Sequence, residues 1–210
     1  MATIPNQPTS MDEPQPAWDV ALLFPSQGDW SEFDYLALDT RRLVELVDGN
    51  LEVLPMPAIM HQLIAQFLFT LLHEFTKARN LGAVILAPMP LRIRDKTFRE
   101  PDVVLISDKE GIKPSDNFLN GARLAIEVVS PDSRSHKRDY EEKRADYAWV
   151  KVPEYWIVDP QTERITILSL ADKLYRVHGE FTPGQQATSV LLKGFTVDVA
   201  AVFDAGQKLS

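Results

Sequence analysis

The feature that most constrains the fold is an apolar run that contains a single carboxylate. The segment Leu124–Val129 reads LAIEVV and shows no alternation between apolar and polar residues. A strand of this kind needs cover on both of its faces. The segment Val103–Ile106 has the same character. These two runs predict a sheet with other elements packed on both sides.

Further segments extend this sheet and surround it with helices. The Asp48-Gly49 turn is typical of a hairpin between strands 43–47 and 51–54. Other strands are expected at 84–86, 91–93, 123–129, 154–158, 164–170 and 174–178, with a final segment at 195–203. Helical spacing of apolar residues predicts helices at 58–79 and 135–150. The order predicts an α/β (α+β) fold with a mixed central sheet flanked by helices.

The length of 210 residues fits one domain with a short extension. Five of the 15 prolines lie within residues 1–25, interleaved with polar residues. That composition disfavours both helix and strand. We therefore expect an irregular Pro-rich arm at 1–25 and a single domain at 26–205.

Composition excludes several classes of site. The chain has no cysteine, which rules out disulfides, thiolate zinc sites, iron–sulfur clusters and a cysteine nucleophile. The net charge of -8 argues against bulk electrostatic attraction to nucleic acid or anionic lipid. No leader pattern and no membrane-length apolar run is evident. We expect a cytoplasmic protein without membrane contact.

Glu127 is the carboxylate inside the first apolar run. Alternation along the strand places Ala125, Glu127 and Val129 on one face. A carboxylate among apolar neighbours is costly unless a cation partners it. It could be a structural glutamate paired with a lysine or arginine, or a functional acid.

Asp102 lies directly before the strand Val103–Ile106. If the two buried strands are neighbours, Asp102 and Glu127 converge at their ends. Two adjacent carboxylates repel each other, and a divalent cation such as Mg²⁺ or Mn²⁺ removes that conflict. The alternative is a turn aspartate at the strand entry.

Lys143 shares a face of the second helix with Tyr140, Tyr147 and His136. If that face turns towards the sheet, the ammonium can offset charge that builds up on a phosphate. The alternative is an exposed pair with Asp139, four residues earlier, with the lysine stem lying along Tyr147.

These residues fall into an ordered set of motifs. They are Pro101-Asp102, then Glu127-Val-Val-Ser-Pro131, then Asp139-x-x-x-Lys143-x-x-x-Tyr147, then Glu154-Tyr-Trp-Ile-Val-Asp-Pro160. The set resembles the Uma-type family of restriction-endonuclease-like proteins in the PD-(D/E)xK nuclease superfamily, over roughly residues 41–170. In the usual motif a lysine stands two residues after the glutamate, where this chain has Val129.

The resemblance implies a restriction-endonuclease-like fold and a metal-dependent phosphodiesterase site. Asp102, Glu127 and the backbone carbonyl of Val128 would bind Mg²⁺ or Mn²⁺, and Lys143 from the helix would replace the missing lysine. The resemblance also implies a homodimer.

Four further residues are weaker candidates near this site. Glu45 resembles an acidic position that could bind a second metal, although a structural role at the strand edge is the simpler interpretation. His61 lies on the buried face of the first helix and is either a core histidine or a site residue. Asp139 and Tyr147 are candidates for orienting the catalytic groups.

Basic residues on both sides of the acidic pair could form a nucleic-acid-binding rim. The candidates are Arg92, Arg94, Arg134, Lys137 and Arg138, with Lys96, Arg99 and Arg144 nearby. The alternative is an ordinary solvated surface interleaved with acidic residues. For Trp149 and Trp156, core packing is favoured over stacking on bases.

Three functions remain open at this point. The first is a metal-dependent endonuclease that hydrolyses DNA, and the second is a non-catalytic nuclease-fold module that binds nucleic acid or a protein partner. The third is a glycoside hydrolase with Asp102 and Glu127 as acid and base, which requires a groove with aromatic walls. Spacings typical of a hydrolase triad or a phosphate loop are missing from the sequence.

Overall fold

The computed structural model describes residues 23–40, 42–107, 113 and 115–207. The predicted arm at 1–25 lies outside the described residues except for 23–25. The division into an arm and one domain therefore stays a prediction.

The described chain alternates short strands with helices. The helices are α1 (Glu32–Leu36), α2 (Ile59–Arg79), α3 (Ser133–Lys137), α4 (Lys143–Trp149) and α5 (Val199–Gln207), with a π-helical turn at Arg138–Glu142. The strands are β1 (Val44–Val47), β2 (Asn50–Val53), β3 (Ala83–Leu86), β4 (Leu91–Arg94), β5 (Thr97–Arg99), β6 (Val103–Ile106), β7 (Leu124–Val128), β8 (Glu154–Asp159), β9 (Arg164–Ala171), β10 (Leu174–Phe181), β11 (Gln186–Thr188) and β12 (Thr196–Asp198). The predicted mixed α+β fold is confirmed.

The strands form separate sheets rather than one. A six-stranded sheet has the order β10-β9-β8-β7-β6-β3, and a four-stranded sheet has the order β2-β1-β5-β4. In the larger sheet only β7 and β8 run parallel, and the other neighbours are antiparallel. The two buried apolar runs are adjacent strands of this sheet, because β6 pairs with β7.

The two faces of β7 enter different hydrophobic cores, as the absence of alternation predicts. Leu124 and Ile126 pack in a core with α2 and α5, and Ala125 packs in a second core with Tyr147 of α4. Glu127 shares the face of Ala125. The sheet is therefore covered on both sides, and its glutamate faces the α4 side.

The β1–β2 hairpin confirms the turn predicted at Asp48-Gly49. Asp48 and Gly49 both have positive φ, at 48° and 78°, as a two-residue hairpin turn of the favoured hand requires. A side chain at Gly49 would collide with the carbonyl group of Gly28. This hairpin lies in the four-stranded sheet and carries Glu45 on β1.

The helix predicted at 135–150 begins earlier and is interrupted. Asp132 caps α3 by accepting a hydrogen bond from the backbone N–H of Ser135. The π-helical turn then adds a residue to the helical repeat before α4 begins at Lys143. The hydroxyl of Tyr140 contacts Asp159, whereas that of Tyr147 contacts Glu127. Tyr140 packs against the same hydrophobic core that contains Tyr147, and Lys143 is buried, so this face turns towards the sheet.

Three other local expectations needed correction. Strand β5 was not predicted, because its three residues are too few to display a period. The segment 195–203 is a short strand followed by α5. Trp149 is 70% exposed rather than packed in the core, whereas Trp156 is fully buried as expected. Within the described ranges, no helix combines the length and apolarity needed to cross a membrane.

Candidate active site

Asp102 and Glu127 lie side by side at one end of the β6–β7 pair. Val103 of β6 is the partner of Ile126 of β7, so continuing the antiparallel register places Asp102 opposite Glu127. Side chains of directly opposed residues lie on the same face of a sheet. The convergence expected from the sequence is therefore present.

Asp102 is held by two groups from different elements. Its Oδ2 accepts a hydrogen bond of 2.7 Å from the backbone N–H of Val128. The same oxygen lies 3.2 Å from Nε2 of His61, near the beginning of α2. Burial lowers the pKa of His61, but the neighbouring Asp102 carboxylate outweighs this and raises it overall. His61 therefore contacts the site rather than being an isolated core histidine.

Glu127 is held from the α4 side of the sheet. Its Oε2 lies 2.9 Å from Nζ of Lys143, and its Oε1 accepts a short hydrogen bond from the hydroxyl of Tyr147. Burial raises the pKa of Glu127 above its ordinary value even with Lys143 beside it. The carboxylates of Asp102 and Asp139 add to that rise.

Lys143 is fully buried and faces three carboxylates. Besides Glu127, its Nζ lies 3.2 Å from Oε1 of Glu45 and 3.8 Å from Oδ1 of Asp139. The sequence alternative of an exposed Asp139–Lys143 pair is therefore wrong, because both side chains are only 3% exposed. Lys143 directly follows the π-helical turn.

Glu45 connects the site to a buried ion-pair network that the sequence did not reveal. Its Oε2 lies 2.8 Å from Nη1 of Arg99, and Nε of Arg99 lies 2.8 Å from Oδ2 of Asp146. Burial alone would raise the pKa of Glu45, but Lys143 and Arg99 lower it to about 2. Arg99 is therefore a core cation and not part of a surface rim.

Arg138 occupies a different environment from the other predicted rim residues. Its side chain is 8% exposed and lies in the π-helical turn, where Nη2 donates a 2.9 Å hydrogen bond to Oγ of Ser135. Arg92 is instead paired with Glu32, and Arg94 is paired with Asp48 and Asp146. Their roles in binding nucleic acid stay predictions.

The remaining rim residues are exposed. Arg134 is 75% exposed and lies 3.5 Å from a Glu52 oxygen, and Lys137 is 64% exposed and lies 4.0 Å from a Glu142 oxygen. Contacts of this kind contribute little to stability and leave both cations accessible to a ligand.

A cleft brings the acidic pair to the surface. Its volume is about 30 Å³, which is room for a water molecule or a small ion. It is lined by Leu43, Leu54, Pro55, Pro57, His61, Ala87, Glu100, Asp102, Glu127, Val128, Ser130, Arg138, Asp139 and Lys143. All three residues predicted as catalytic, together with His61 and Asp139, therefore line one cleft.

The other acidic residues of the sequence motifs have structural roles. Glu154 accepts hydrogen bonds from Trp156, Ser189 and the backbone N–H groups of residues 190 and 191. Asp159 accepts from the N–H of Gln161 and the hydroxyl of Thr162. Both carboxylates anchor loops outside the cleft.

The fold and the cleft define a restriction-endonuclease-like α+β protein. The family model Uma2, described as "Putative restriction endonuclease", matches residues 30–200, and the chain belongs to this family. The resemblance drawn from the motifs is therefore confirmed.

A solved structure supports the same fold. It is a crystal structure described as a putative nuclease of the DUF820 group from Anabaena variabilis. The TM-score is 0.70 at 16% sequence identity, with 84% of this chain and 98% of the other covered. No curated protein matches the chain.

Proposed function

We propose that the protein is a metal-dependent nuclease that hydrolyses phosphodiester bonds in DNA. The observation that carries this proposal is the placement of Asp102 beside Glu127 at the edge of a cleft, with Lys143 in contact with Glu127. Membership of the Uma2 family supports the same conclusion.

The residues present suit a divalent cation. Four carboxylates, from Glu45, Asp102, Glu127 and Asp139, crowd this site. Lys143, Arg138 and His61 line the same cleft, and Arg99 is shared with Asp146. Oδ1 of Asp139 is buried and has no hydrogen-bond partner among the described residues. Carboxylate oxygens are hard donors of the kind that Mg²⁺ and Mn²⁺ prefer.

We assign the metal ligands to Asp102, Glu127 and the carbonyl group of Val128, with Glu45 as a candidate for a second ion. Among the described residues, no three His, Cys, Asp or Glu side chains form a group that could hold a metal ion. The site would therefore depend on two carboxylates, one backbone carbonyl and water, as Mg²⁺ sites commonly do. When bound, the ion would polarise the phosphate and make a water molecule more acidic.

The protein's own groups orient the acidic pair. His61 and the N–H of Val128 fix one oxygen of Asp102, and Tyr147 and Lys143 fix both oxygens of Glu127. Groups held in this way need little reorganisation when charge develops on a phosphate. Asp139 lies beside Lys143 and limits the directions that the ammonium can take.

A plasmid-nicking assay tests this function. Purified protein should convert supercoiled DNA to the nicked form with Mg²⁺ or Mn²⁺ but not with EDTA. Asp102→Ala and Glu127→Ala should each abolish nicking while the circular dichroism spectrum stays native. Full activity in either variant would refute the mechanism.

A non-catalytic nuclease-fold module is the second candidate, favoured by the net charge of -8 and by Val129 at the usual lysine position. Calorimetry with Mg²⁺ separates the two, because a binding module need not take up metal. The glycoside hydrolase alternative loses support, since no Phe, Tyr or Trp is among the described residues that line the cleft.

We also propose that the protein forms a homodimer, which light scattering on the purified chain would test. The cytoplasmic location stays a prediction. DNA contacts by Arg92, Arg94, Arg134 and Lys137 would be tested by neutralising each residue and measuring the salt dependence of DNA binding.

A further inference from the structure

The ammonium group of Lys143 is engaged mainly by two carboxylates. It carries three N–H donors, and oxygens of Glu127 and Glu45 lie 2.9 and 3.2 Å from Nζ. Asp139 approaches Nζ only to 3.8 Å, which is beyond hydrogen-bond distance. The geometry of Lys143 suits holding the acidic groups apart and offsetting their charge.

Arg138 lies in the same cleft and differs from Lys143 because one of its buried N–H donors lacks an acceptor among the described residues. The residue is 7% exposed, and its Nε has no hydrogen-bond partner among the described residues. The nearest acidic atom, Oδ1 of Asp139, lies 3.7 Å away, beyond hydrogen-bond distance. Arg138 also lines the cleft with Asp102 and Glu127.

An unsatisfied buried donor on a charged group is costly, and an anion in the cleft would remove that cost. Ser135 fixes the guanidinium by accepting from Nη2, so Nε cannot turn away easily. A guanidinium presents a rigid set of donors that matches the oxygens of a phosphate. The site therefore holds a buried, charged N–H donor that no described acceptor reaches within hydrogen-bond distance, directly beside the acidic pair.

We propose that Arg138 binds a non-bridging oxygen of the phosphate that is cleaved, while Lys143 positions the carboxylates of Glu127 and Glu45. This assignment rests on the proposed nuclease function. It makes Arg138 a catalytic residue rather than part of the DNA-binding rim. The chemical class of the ligand is a phosphodiester or a free phosphate group.

Arg164 supplies a matched comparison. Its Nε is also buried and has no hydrogen-bond partner in the part of the chain that the structure describes, and its Nη1 is paired with Glu180 at 3.1 Å. Arg164 lies on β9 and does not line the cleft. The effect of removing a buried Nε–H donor that lacks a partner can therefore be compared inside the cleft, at Arg138, and outside it, at Arg164.

The first test measures binding of inorganic phosphate by calorimetry in the presence of Mg²⁺. We expect wild type and Arg164→Gln to bind phosphate with similar affinity. Arg138→Gln should bind phosphate at least tenfold more weakly, because it lacks a charge-assisted hydrogen bond and the loss of one such bond changes affinity by about that factor. Arg138→Lys should recover part of that loss. Equal phosphate affinity in Arg138→Gln and wild type, or no phosphate binding by any of them, would overturn the assignment.

The second test uses DNA cleavage and separates this inference from the proposed function. Arg138→Gln should lower kcat about a hundredfold with a much smaller change in KM, as expected when a donor to developing charge is removed. A wild type that binds phosphate through Arg138 but cleaves no DNA would refute the nuclease function and leave the phosphate site. An active Arg138→Gln variant would refute this assignment and leave the nuclease. Circular dichroism and thermal unfolding establish that both variants are folded.

Discussion

Nζ of Lys143 lies 2.9 Å from Oε2 of Glu127, and this contact joins the first residue of α4 to the central strand β7. Both side chains are 3% exposed, so water contributes little to the solvation of either charge. Each residue therefore depends on the other to remain in the interior. The contact fixes both the position of α4 on the sheet and the charge balance of the cleft.

Replacing Lys143 with methionine should destabilise the protein strongly. Glu127, Glu45 and Asp139 would lose a shared cation, and removing one partner of a buried ion pair typically costs about 3–5 kcal/mol. Urea unfolding at neutral pH measures this loss. The double variant Lys143→Met/Glu127→Gln should be more stable than Lys143→Met, because one of the unpaired charges is removed.

Lys137→Met is the matched control for this prediction. Lys137 lies 64% exposed on the preceding turn of helix and only approaches Glu142. Exposed pairs contribute between about 0 and 1 kcal/mol, so this variant should unfold almost as wild type does. Similar losses in the two lysine variants would show that Lys143 is not a buried counter-ion.

Glu45 should make the free energy of unfolding depend on pH in the acidic range. Its pKa is about 2 in the folded protein, below the ordinary value of 4.5, so the unfolded chain binds more protons between these values. The stability that Glu45 contributes is thus present above about pH 4.5 and is lost as the pH falls towards 2. Wild type should exceed Glu45→Gln by about 3 kcal/mol at pH 7.

Urea unfolding of both proteins at pH 7 and at pH 3 measures this difference. The advantage of wild type should narrow at the lower pH, where part of the Glu45 contribution has been lost. A difference that stays constant between the two pH values would contradict the ion-pair account of Glu45.

Removal of one hydroxyl group tests the orientation of Glu127. Tyr147→Phe deletes the donor to Oε1 of Glu127 and keeps the ring in the core. We expect a loss of about 1–3 kcal/mol in stability and roughly a tenfold fall in DNA cleavage. Tyr175→Phe deletes a buried hydroxyl that donates to the carbonyl of Val152 at 2.6 Å, outside the cleft. It should lose stability without losing cleavage, and equal cleavage by the two variants would contradict the role of Tyr147.

The sequence predicted those parts of the fold that depend on local pattern. The helix at 59–79 follows from apolar spacing, because Ile64, Leu68 and Leu72 are its buried face. The two apolar runs predicted strands covered on both faces, and the pairing of β6 with β7, which the sequence left open, brings Asp102 beside Glu127.

The parts that the sequence did not predict depend on long-range contacts or on a single inserted residue. Glu45 and Arg99 meet because β1 and β5 pair in the smaller sheet, and β5 has only three residues. The π-helical turn that interrupts the helix at Arg138–Glu142 leaves no period in the sequence. The burial of Arg138 could not be predicted either, because the residues next to it in the sequence are polar.

The most direct test of the central claim is a manganese soak of crystals of this protein, with anomalous diffraction recorded. Our account predicts one strong anomalous peak within coordination distance of the carboxylates of Asp102 and Glu127 and the carbonyl oxygen of Val128. That peak should disappear in Glu127→Ala crystals. A cleft without anomalous density, or a peak bound only to other residues, would contradict the shared metal site.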